Sequence, residues 1–298
     1  MASAAEWIEG ARLRTLPMAV APVVIGAAAA YGVGGHLFWG RAVLAALVSL
    51  LLQIGVNYAN DYSDGIRGTD DVRVGPLRLT GSGAARPGTV KAAAFGCFGA
   101  AAVAGLVLVL LSQAWPLLLV GVAAIFAAWG YTGGDRPYGY QGLGEVFVFL
   151  FFGLAATLGT TFTQVLELPA TAWVGACGTG LIATALLMAN NVRDIPTDRD
   201  VGKRTLAVRL GDEGARVSYV LMLALAILLP LLLVSYYPWL MLVVLVAPLC
   251  LMPSWIMLKS TRRRALIPVL KHTGFINLGY SVLFAVGMVV TVLLRQQA

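Results

Sequence analysis

The chain has 298 residues, of which 59% are hydrophobic and only 12% are charged, and its mean hydropathy is +0.83. A soluble domain of this length needs a far larger charged fraction to cover its surface. The composition therefore excludes a soluble globular protein and indicates a polytopic membrane protein. The formal net charge of +7 is typical of loops that face anionic lipid headgroups, and we expect no nucleic acid among the partners.

Apolar runs bounded by charged residues, Gly or Pro predict nine membrane-spanning helices. In chain order they cover about 16–34, 41–59, 92–112, 116–131, 145–163, 172–190, 217–235, 238–257 and 274–294. The sequence therefore predicts an all-α membrane protein, built as a single membrane-embedded domain over residues 1–298.

The placement of charge predicts the orientation of these helices. With the N-terminus in the cytoplasm, all but two of the 21 Lys and Arg residues fall in cytoplasmic segments, the exceptions being Arg41 and Arg295. Of the 14 acidic residues, only Glu167 falls on the outer side. We therefore expect a cytoplasmic N-terminus, an outer C-terminus and cytoplasmic active-site loops in a plasma membrane of bacterial type.

Two polar clusters interrupt the apolar pattern, one after the second predicted span and one after the sixth. They read NDYSDGIRGTD over residues 60–70 and NNVRDIPTDRD over residues 190–200. When the two are superimposed, Asn60 matches Asn190 and Asp64 matches Asp194. The domain thus consists of two pseudo-repeated halves, with candidate metal motifs near 57–70 and 190–200.

The residue types in both clusters favour a hard divalent cation. Carboxylates at the end of a membrane helix are costly unless their charge is offset, and carboxylate and amide oxygens are the ligands that Mg²⁺ prefers. We therefore predict a shared Mg²⁺ site, with candidate ligands Asn60, Asp61, Asp64, Asp70, Asp194 and Asp198. The spacing leaves open whether Asp70 or Asp200 is a ligand. An alternative explanation is that these residues are solvated helix caps and loop charges.

Basic and aromatic residues near the clusters are candidates for substrate contacts. A diphosphate needs cationic partners besides a metal, and the aromatic loop YTGGDRPYGYQGLGE occupies residues 131–145. Its tyrosines could form a π-rich wall for an allylic cation or simply an interfacial aromatic belt. The candidate catalytic residues are Arg78, Tyr131, Arg136, Tyr138, Lys203 and Arg204.

These motifs resemble those of the UbiA superfamily of intramembrane prenyltransferases. Four stretches are similar to the branch that prenylates 1,4-dihydroxy-2-naphthoate: ARLRTLP (11–17), GVNYANDYSDGIRGTD (55–70), YTGGDRPYGYQGLGE (131–145) and NNVRDIPTDRDVGKRTLAVRLG (190–211). The resemblance implies nine helices around a central cavity that opens to lipid. Carried over by position, it places the metal ligands at Asn60, Asp64, Asp194 and Asp198. Gly68 departs from the pattern, which has its last Asp there.

The resemblance also implies the reaction and its partners. A polyprenyl group passes from polyprenyl diphosphate to 1,4-dihydroxy-2-naphthoate with Mg²⁺, and CO₂ and diphosphate are released, as in menaquinone biosynthesis. Loss of CO₂ replaces the general base, in keeping with a chain that offers no convincing catalytic His. Alternatives are a related enzyme with another aromatic acceptor, a membrane transporter with an internal repeat, and a CDP-alcohol phosphotransferase. The sequence predicts neither the isoprenoid length nor the oligomeric state.

Overall fold

The computed structural model describes residues 2–68, 77–260 and 263–297, and within these ranges the fold is helical with no β-strand. The helices, in chain order, are α1 (Ala4–Gly10), α2 (Pro17–Gly34), α3 (Trp39–Ile66), α4 (Pro87–Ser112), α5 (Leu117–Gly130), α6 (Gly144–Val165), α7 (Ala170–Asp200), α8 (Leu206–Leu233), α9 (Pro238–Lys259) and α10 (Arg263–Gln297). Eight of them, α2–α4 and α6–α10, are long and apolar enough to cross a membrane, and α5 is a shorter apolar helix. The predicted all-α membrane architecture is confirmed.

Two of the predicted spans end too early. The second was expected to end at residue 59 and the sixth at residue 190, whereas α3 continues to Ile66 and α7 continues to Asp200. Hydropathy falls at the first polar side chain, but the backbone hydrogen bonds of a helix continue wherever those side chains have partners. Residues 60–66 of the first cluster and all of the second, residues 190–200, therefore lie on helix ends rather than in loops.

Pro196 lies inside the last turns of α7. Because proline has no N–H, it leaves the carbonyl of Val192, four residues earlier, without its intrahelical donor. The Arg263 Nη1 donates a hydrogen bond of 2.9 Å to that carbonyl, and the same nitrogen lies 2.5 Å from the Asp212 carboxylate. A guanidinium from α10 thus satisfies the orphaned carbonyl, and α7 continues past the proline.

Small residues let the central helices pack closely against one another. A Cβ built on Gly153 of α6 would lie 2.5 Å from the Cα of Gly180 on α7, and one on Gly178 would lie 1.9 Å from the Tyr280 hydroxyl of α10. Gly153 belongs to a π-helical stretch, Phe149–Ala155, within α6. Such close contacts are typical of helix packing inside membranes.

The buried apolar residues form two main clusters. The larger joins α7, α8, α9 and α10 with two residues of α2, and the smaller joins the C-terminal part of α3 and the N-terminal half of α4 with Ala128 of α5 and neighbouring loop residues. The helices α2 to α7 surround a cavity of about 630 Å³ between these clusters. Most of the candidate functional residues line this cavity.

Candidate active site

The cavity has one oxygen-rich end, and the rest of its wall is mostly apolar. Asp64 of α3 and Asp194 and Asp198 of α7 line the polar end, together with Asn60 and Asn190. The remainder is lined largely by aliphatic and small side chains of α4, α5 and α6. Such a cavity matches an amphiphilic ligand with an anionic head and a hydrocarbon tail.

Asp64 is a carboxylate of the polar end with several close partners, and it is only 6% exposed. The Tyr140 hydroxyl donates to its Oδ1 at 2.7 Å and the Lys203 Nζ donates to the same oxygen at 3.2 Å. On the other oxygen, the Arg78 Nη2 lies 3.6 Å away. The carboxylate therefore joins the end of α3 to three other segments, and its buried charge has cationic partners.

Hydrogen bonds also hold the side chains of Asp194 and Asn190 on α7 and of Asn60 on α3 in place. Arg193 makes a bidentate pair with Asp194, with both N–O distances 2.6 Å, and its Nη2 donates to the Asn190 Oδ1 at 2.9 Å. The Thr132 hydroxyl donates to the Asn60 Oδ1 at 2.8 Å. These bonds fix the side-chain orientations before any ligand arrives.

Lys203 lies between a carboxylate and an aromatic ring. Burial disfavours its ammonium form, but the Asp64 carboxylate and the Tyr140 phenol outweigh that effect and raise the pKa of Lys203 above its usual value. Its Nζ lies 4.3 Å from the centroid of the Tyr140 ring. Burial and the Asp64 charge also raise the pKa of Tyr140, so the phenol stays protonated and donates. At neutral pH this end of the cavity therefore retains a fixed ammonium group.

The donor set at the polar end fits a magnesium ion. All four side chains expected from the family pattern, Asn60, Asp64, Asp194 and Asp198, line the cavity and present oxygen atoms. In the part of the chain that the structure describes, no three His, Cys, Asp or Glu side chains form one compact cluster. Magnesium does not need one, since it is usually bound by one or two carboxylates together with water and substrate phosphates.

Asp61 was also predicted to be a metal ligand, but its carboxylate oxygens have backbone N–H groups as partners. It is 1% exposed, and it accepts hydrogen bonds from the backbone N–H groups of Leu79 at 2.7 Å and Thr80 at 2.8 Å. It does not line the cavity. Each helical residue turns by about 100°, which carries Asp61 off the face shared by Asn60 and Asp64. Asp61 thus anchors the segment that carries Arg78.

The other predicted residues divide between the cavity and the surface. Arg78, Tyr131, Tyr138 and Lys203 line the cavity. Arg136 and Arg204 are exposed and lie outside it. The backbone N–H of Arg204 donates to the Tyr140 carbonyl at 2.9 Å.

The three remaining acidic candidates, Asp70, Asp198 and Asp200, have different outcomes. Asp198 is buried and lines the cavity, whereas Asp200 is exposed and lies outside it. Asp70 lies outside the described residues.

Four aromatic rings form a continuous ladder along one wall of the cavity. Tyr131 and Tyr138 have ring centroids 5.6 Å apart, Tyr138 stacks on Phe147 at 4.0 Å, and Phe147 is followed by Phe151 at 6.1 Å. The Tyr138 hydroxyl donates to the Ala127 carbonyl at 2.8 Å, and burial raises the pKa of Tyr138. The phenol thus stays neutral, and the aromatic surface is available to a cation.

Sequence reasoning missed several side chains of this site. Tyr140 belongs to the aromatic loop but was not singled out, and Arg193 was not paired with its neighbour Asp194. Phe147 and Phe151 lie in a span that reads as uniformly apolar. No spacing in the sequence indicates which ring faces the cavity, because the π-helical stretch of α6 alters the helical phase there.

Comparison with known proteins identifies the family. The model of the UbiA prenyltransferase family matches residues 19–293. The chain belongs to the UbiA prenyltransferase family. This UbiA prenyltransferase is 50% identical over 288 residues to the 1,4-dihydroxy-2-naphthoate octaprenyltransferase of Mycobacterium tuberculosis, covering 96% of this chain and 97% of the relative. The enzyme of the same name from Escherichia coli is 37% identical over 293 residues, covering 95% of this chain and 94% of the relative.

Solved structures share the fold. A UbiA homolog from Aeropyrum pernix superimposes with a TM-score of 0.67 at 17% identity, covering 93% of this chain and 96% of the other. A UbiA homolog from Archaeoglobus fulgidus bound to GPP and Mg²⁺ gives a TM-score of 0.66 at 14% identity, covering 96% and 99%. The predicted family and the UbiA-type fold are both confirmed.

Proposed function

We propose that this chain transfers a polyprenyl group from polyprenyl diphosphate to 1,4-dihydroxy-2-naphthoate, as in menaquinone biosynthesis. The observation that carries the proposal is the 50% identity to the mycobacterial 1,4-dihydroxy-2-naphthoate octaprenyltransferase, which extends over nearly the full length of both chains. The amphiphilic cavity supports it, since an anionic diphosphate and a long hydrocarbon tail must be held together.

Magnesium is the proposed cofactor. Asn60, Asp64, Asp194 and Asp198 would hold it, and when bound it would supply positive charge to the diphosphate oxygens and so favour their departure. We propose that Asp61 is not a ligand but a positioning residue, because it does not line the cavity and its oxygens accept backbone hydrogen bonds from the segment that carries Arg78. The chemistry of the donors supports magnesium over softer metals.

Arg78 and Lys203 are the proposed protein contacts of the leaving diphosphate. Both line the cavity beside Asp64, where they can donate to phosphate oxygens. Arg contributes a bidentate fork and Lys a compact charge. Arg136 and Arg204 are exposed and do not line the cavity, so the proposed catalytic set does not contain them.

The aromatic ladder is proposed to stabilise the allylic cation that forms as the C–O bond to diphosphate breaks. The faces of Tyr131, Tyr138 and Phe147 carry negative electrostatic potential and hold no nucleophile as strong as water. The apolar wall beyond them excludes water that would otherwise quench the cation. A neutral phenol suits this role better than a phenolate, which would itself be alkylated.

Decarboxylation accounts for the proton balance of the transfer. The ring carbon that bears the carboxylate forms the new C–C bond, and the bond to the carboxyl carbon then breaks. Its electron pair restores the aromatic ring, and CO₂ leaves, so no ring proton has to be removed. Neither His36 nor His272 lines the cavity, which agrees with a reaction that requires no base.

The test is to incubate the purified protein with a polyprenyl diphosphate, Mg²⁺ and carboxyl-labelled 1,4-dihydroxy-2-naphthoate. We expect labelled CO₂ and prenylated naphthoquinol in equal amounts. A product that retains the label, or a preference for 4-hydroxybenzoate over the naphthoate, would contradict the proposed acceptor.

We also infer that the polar end of the cavity faces the cytoplasm and that residues 1–298 form a single domain. The bias of Lys and Arg supports the orientation, and a cavity with walls from both halves of the chain supports one domain. Single cysteines introduced at Arg264 and at Gln296 of an otherwise cysteine-free variant test the orientation. In right-side-out vesicles only the cysteine at position 296 should react with an impermeant maleimide.

A further inference from the structure

Arg12 lines the cavity but has no part in the site described above. Its backbone is left-handed, with φ of +54°, a conformation that a residue with a long side chain adopts rarely and that often marks a functional position. Its Nη2 atom is buried, and within the described residues this atom has no hydrogen-bond partner. Buried donors are almost always paired, so an unpaired guanidinium nitrogen at a cavity wall indicates a ligand contact.

The segment that carries Arg12 is held firmly against α3. The Asn57 Nδ2 donates to the Ala11 carbonyl at 2.9 Å, and the Tyr58 hydroxyl donates to the Trp7 carbonyl at 2.9 Å. The Thr15 hydroxyl donates to the Arg12 carbonyl itself at 2.9 Å. The guanidinium is therefore presented to the cavity by a fixed backbone.

Arg12 lies at a distance from the proposed diphosphate contacts. Its neighbour Asn57 precedes Asp64 by about two helical turns, roughly 10 Å along the axis of α3. In the described part of the chain, the other cations that line the cavity are Arg78 and Lys203, and both lie beside Asp64. The backbone of Arg12 is thus anchored about two helical turns from Asp64, and Arg12 adds a third cation to the lining of the cavity.

Three polar side chains lie beside the backbone that carries Arg12. The Gln53 Nε2 and the Asn57 Nδ2 each donate to the Thr15 hydroxyl oxygen at 3.2 Å, and the same Gln53 nitrogen lies 3.3 Å from the Asn57 Oδ1. All three side chains line the cavity. Together with Arg12 they make a polar subsite within a largely apolar wall.

We propose that Arg12 binds the carboxylate of the aromatic acceptor acid, with Thr15, Gln53 and Asn57 contacting its ring hydroxyls. This inference rests on the proposed function, which requires an acceptor with one carboxylate on the reacting carbon. The guanidinium matches a carboxylate with two parallel hydrogen bonds. Because that carboxylate leaves as neutral CO₂, the ion pair acts on binding of the acid, and its loss raises the acceptor KM rather than lowering kcat.

The test compares two competitive inhibitors that differ only in the carboxylate, 1-hydroxy-2-naphthoate and 1-naphthol. The variants are Arg12→Gln, Arg12→Lys and, as a matched control at an exposed position, Arg264→Gln. In Arg12→Gln the Ki of the acid should rise by about 10- to 100-fold, the worth of a charge-assisted bidentate contact, while the Ki of 1-naphthol changes less than about 2-fold. Arg12→Lys should fall between, and Arg264→Gln should match the wild type.

Three results would overturn the proposal. An equal rise for both inhibitors would show that Arg12 only shapes the cavity, a rise in the KM of the prenyl diphosphate would assign it to the donor, and unchanged constants would remove it from the site. If Arg12→Gln does not fold, Arg12→Lys is compared with the wild type by the same inhibitor ratio. Failure of the proposed function is seen separately, as a wild-type protein that does not prenylate the naphthoate.

Discussion

Asp61 and Asp64 lie three positions apart on α3, and their oxygens have different partners. Asp61 accepts two backbone N–H groups of the segment that carries Arg78, whereas Asp64 faces the cavity with Tyr140, Lys203 and Arg78 around it. One residue positions a cation and the other is positioned to bind a ligand. Their substitutions should therefore have different kinetic signatures.

Asp64→Asn and Asp194→Asn should each reduce turnover by more than about tenfold, a barrier increase above about 1.4 kcal/mol, because each removes a proposed metal ligand. Asp61→Asn should instead raise the KM of the prenyl diphosphate and leave the Mg²⁺ concentration for half-maximal activity unchanged. Titration of activity with Mg²⁺ and with donor, for all three variants, separates the two roles. A raised Mg²⁺ requirement in Asp61→Asn would return it to the ligand set.

Asp198→Ala should lose activity, and Asp200→Ala should keep it. Asp198 is buried at the cavity wall and Asp200 is exposed outside the cavity, so only the first can reach a metal or a diphosphate. Steady-state rates at saturating substrates give the comparison, with detergent stability as the folding control. An inactive Asp200→Ala protein beside an active Asp198→Ala protein would mean that the internal repeat, rather than the cavity, determines the ligand.

At the scale of single residues, the sequence indicates which types of side chain line the cavity better than it indicates the direction in which each side chain points. Spacing placed Asn60 and Asp64 on one helical face, but it could not separate Asp61 from them. The partners of Asp61 come from residues 79 and 80, which no periodicity links to α3. Arg12 was unremarkable for the same reason, since its unpaired nitrogen exists only in the packed structure.

At the scale of elements, α7 depends on a distant part of the chain. Its last turns carry Asp198, and they follow a proline whose missing N–H is compensated by Arg263 of α10. Asp212 of α8 in turn contacts both Arg263 and Arg216. The geometry of the helix that carries Asp194 and Asp198 thus depends on the start of the last helix.

Arg263→Met should destabilise the protein by about 1–3 kcal/mol, the cost of an unsatisfied buried carbonyl, and should lower activity as the end of α7 loosens. Pro196→Ala restores the missing N–H, so the same Arg263→Met change should cost clearly less in that background. Thermal unfolding of the four proteins of this double-mutant cycle measures the difference. Arg264→Met, at an exposed neighbouring position, serves as the control.

Equal costs of Arg263→Met in both backgrounds would show that Arg263 acts through Asp212 alone.

The length of α7 could not have been predicted from hydropathy, because the proline argues for an earlier helix end and the compensating Arg263 is remote in sequence. The number and order of the apolar helices, by contrast, follow from composition and charge placement, which depend only on the solvent that each segment meets.

At the scale of the whole molecule, two carboxylate helices from the two halves of the chain meet at one cavity. We expect activity to be lost with excess EDTA and restored by added Mg²⁺, since the lining donors are hard oxygens. Turnover of labelled prenyl diphosphate, with and without chelator, provides the measurement. Full activity in excess EDTA would contradict the metal assignment and leave the diphosphate to Arg78 and Lys203.

The short helix α5 has a consequence for the surrounding bilayer. Its 14 residues span about 21 Å against a hydrocarbon core of about 30 Å, while Leu119 and Phe126 are exposed on its outer side and Leu118 and Ile125 line the cavity. We expect this hydrophobic mismatch to thin the membrane beside the cavity wall, and we propose that the lipid-dissolved isoprenoid passes there. In vesicles whose lipids have increasingly long acyl chains, the KM of the prenyl diphosphate should therefore rise, while the KM of the naphthoate stays constant. If the KM of the prenyl diphosphate does not depend on bilayer thickness, the donor does not pass beside α5.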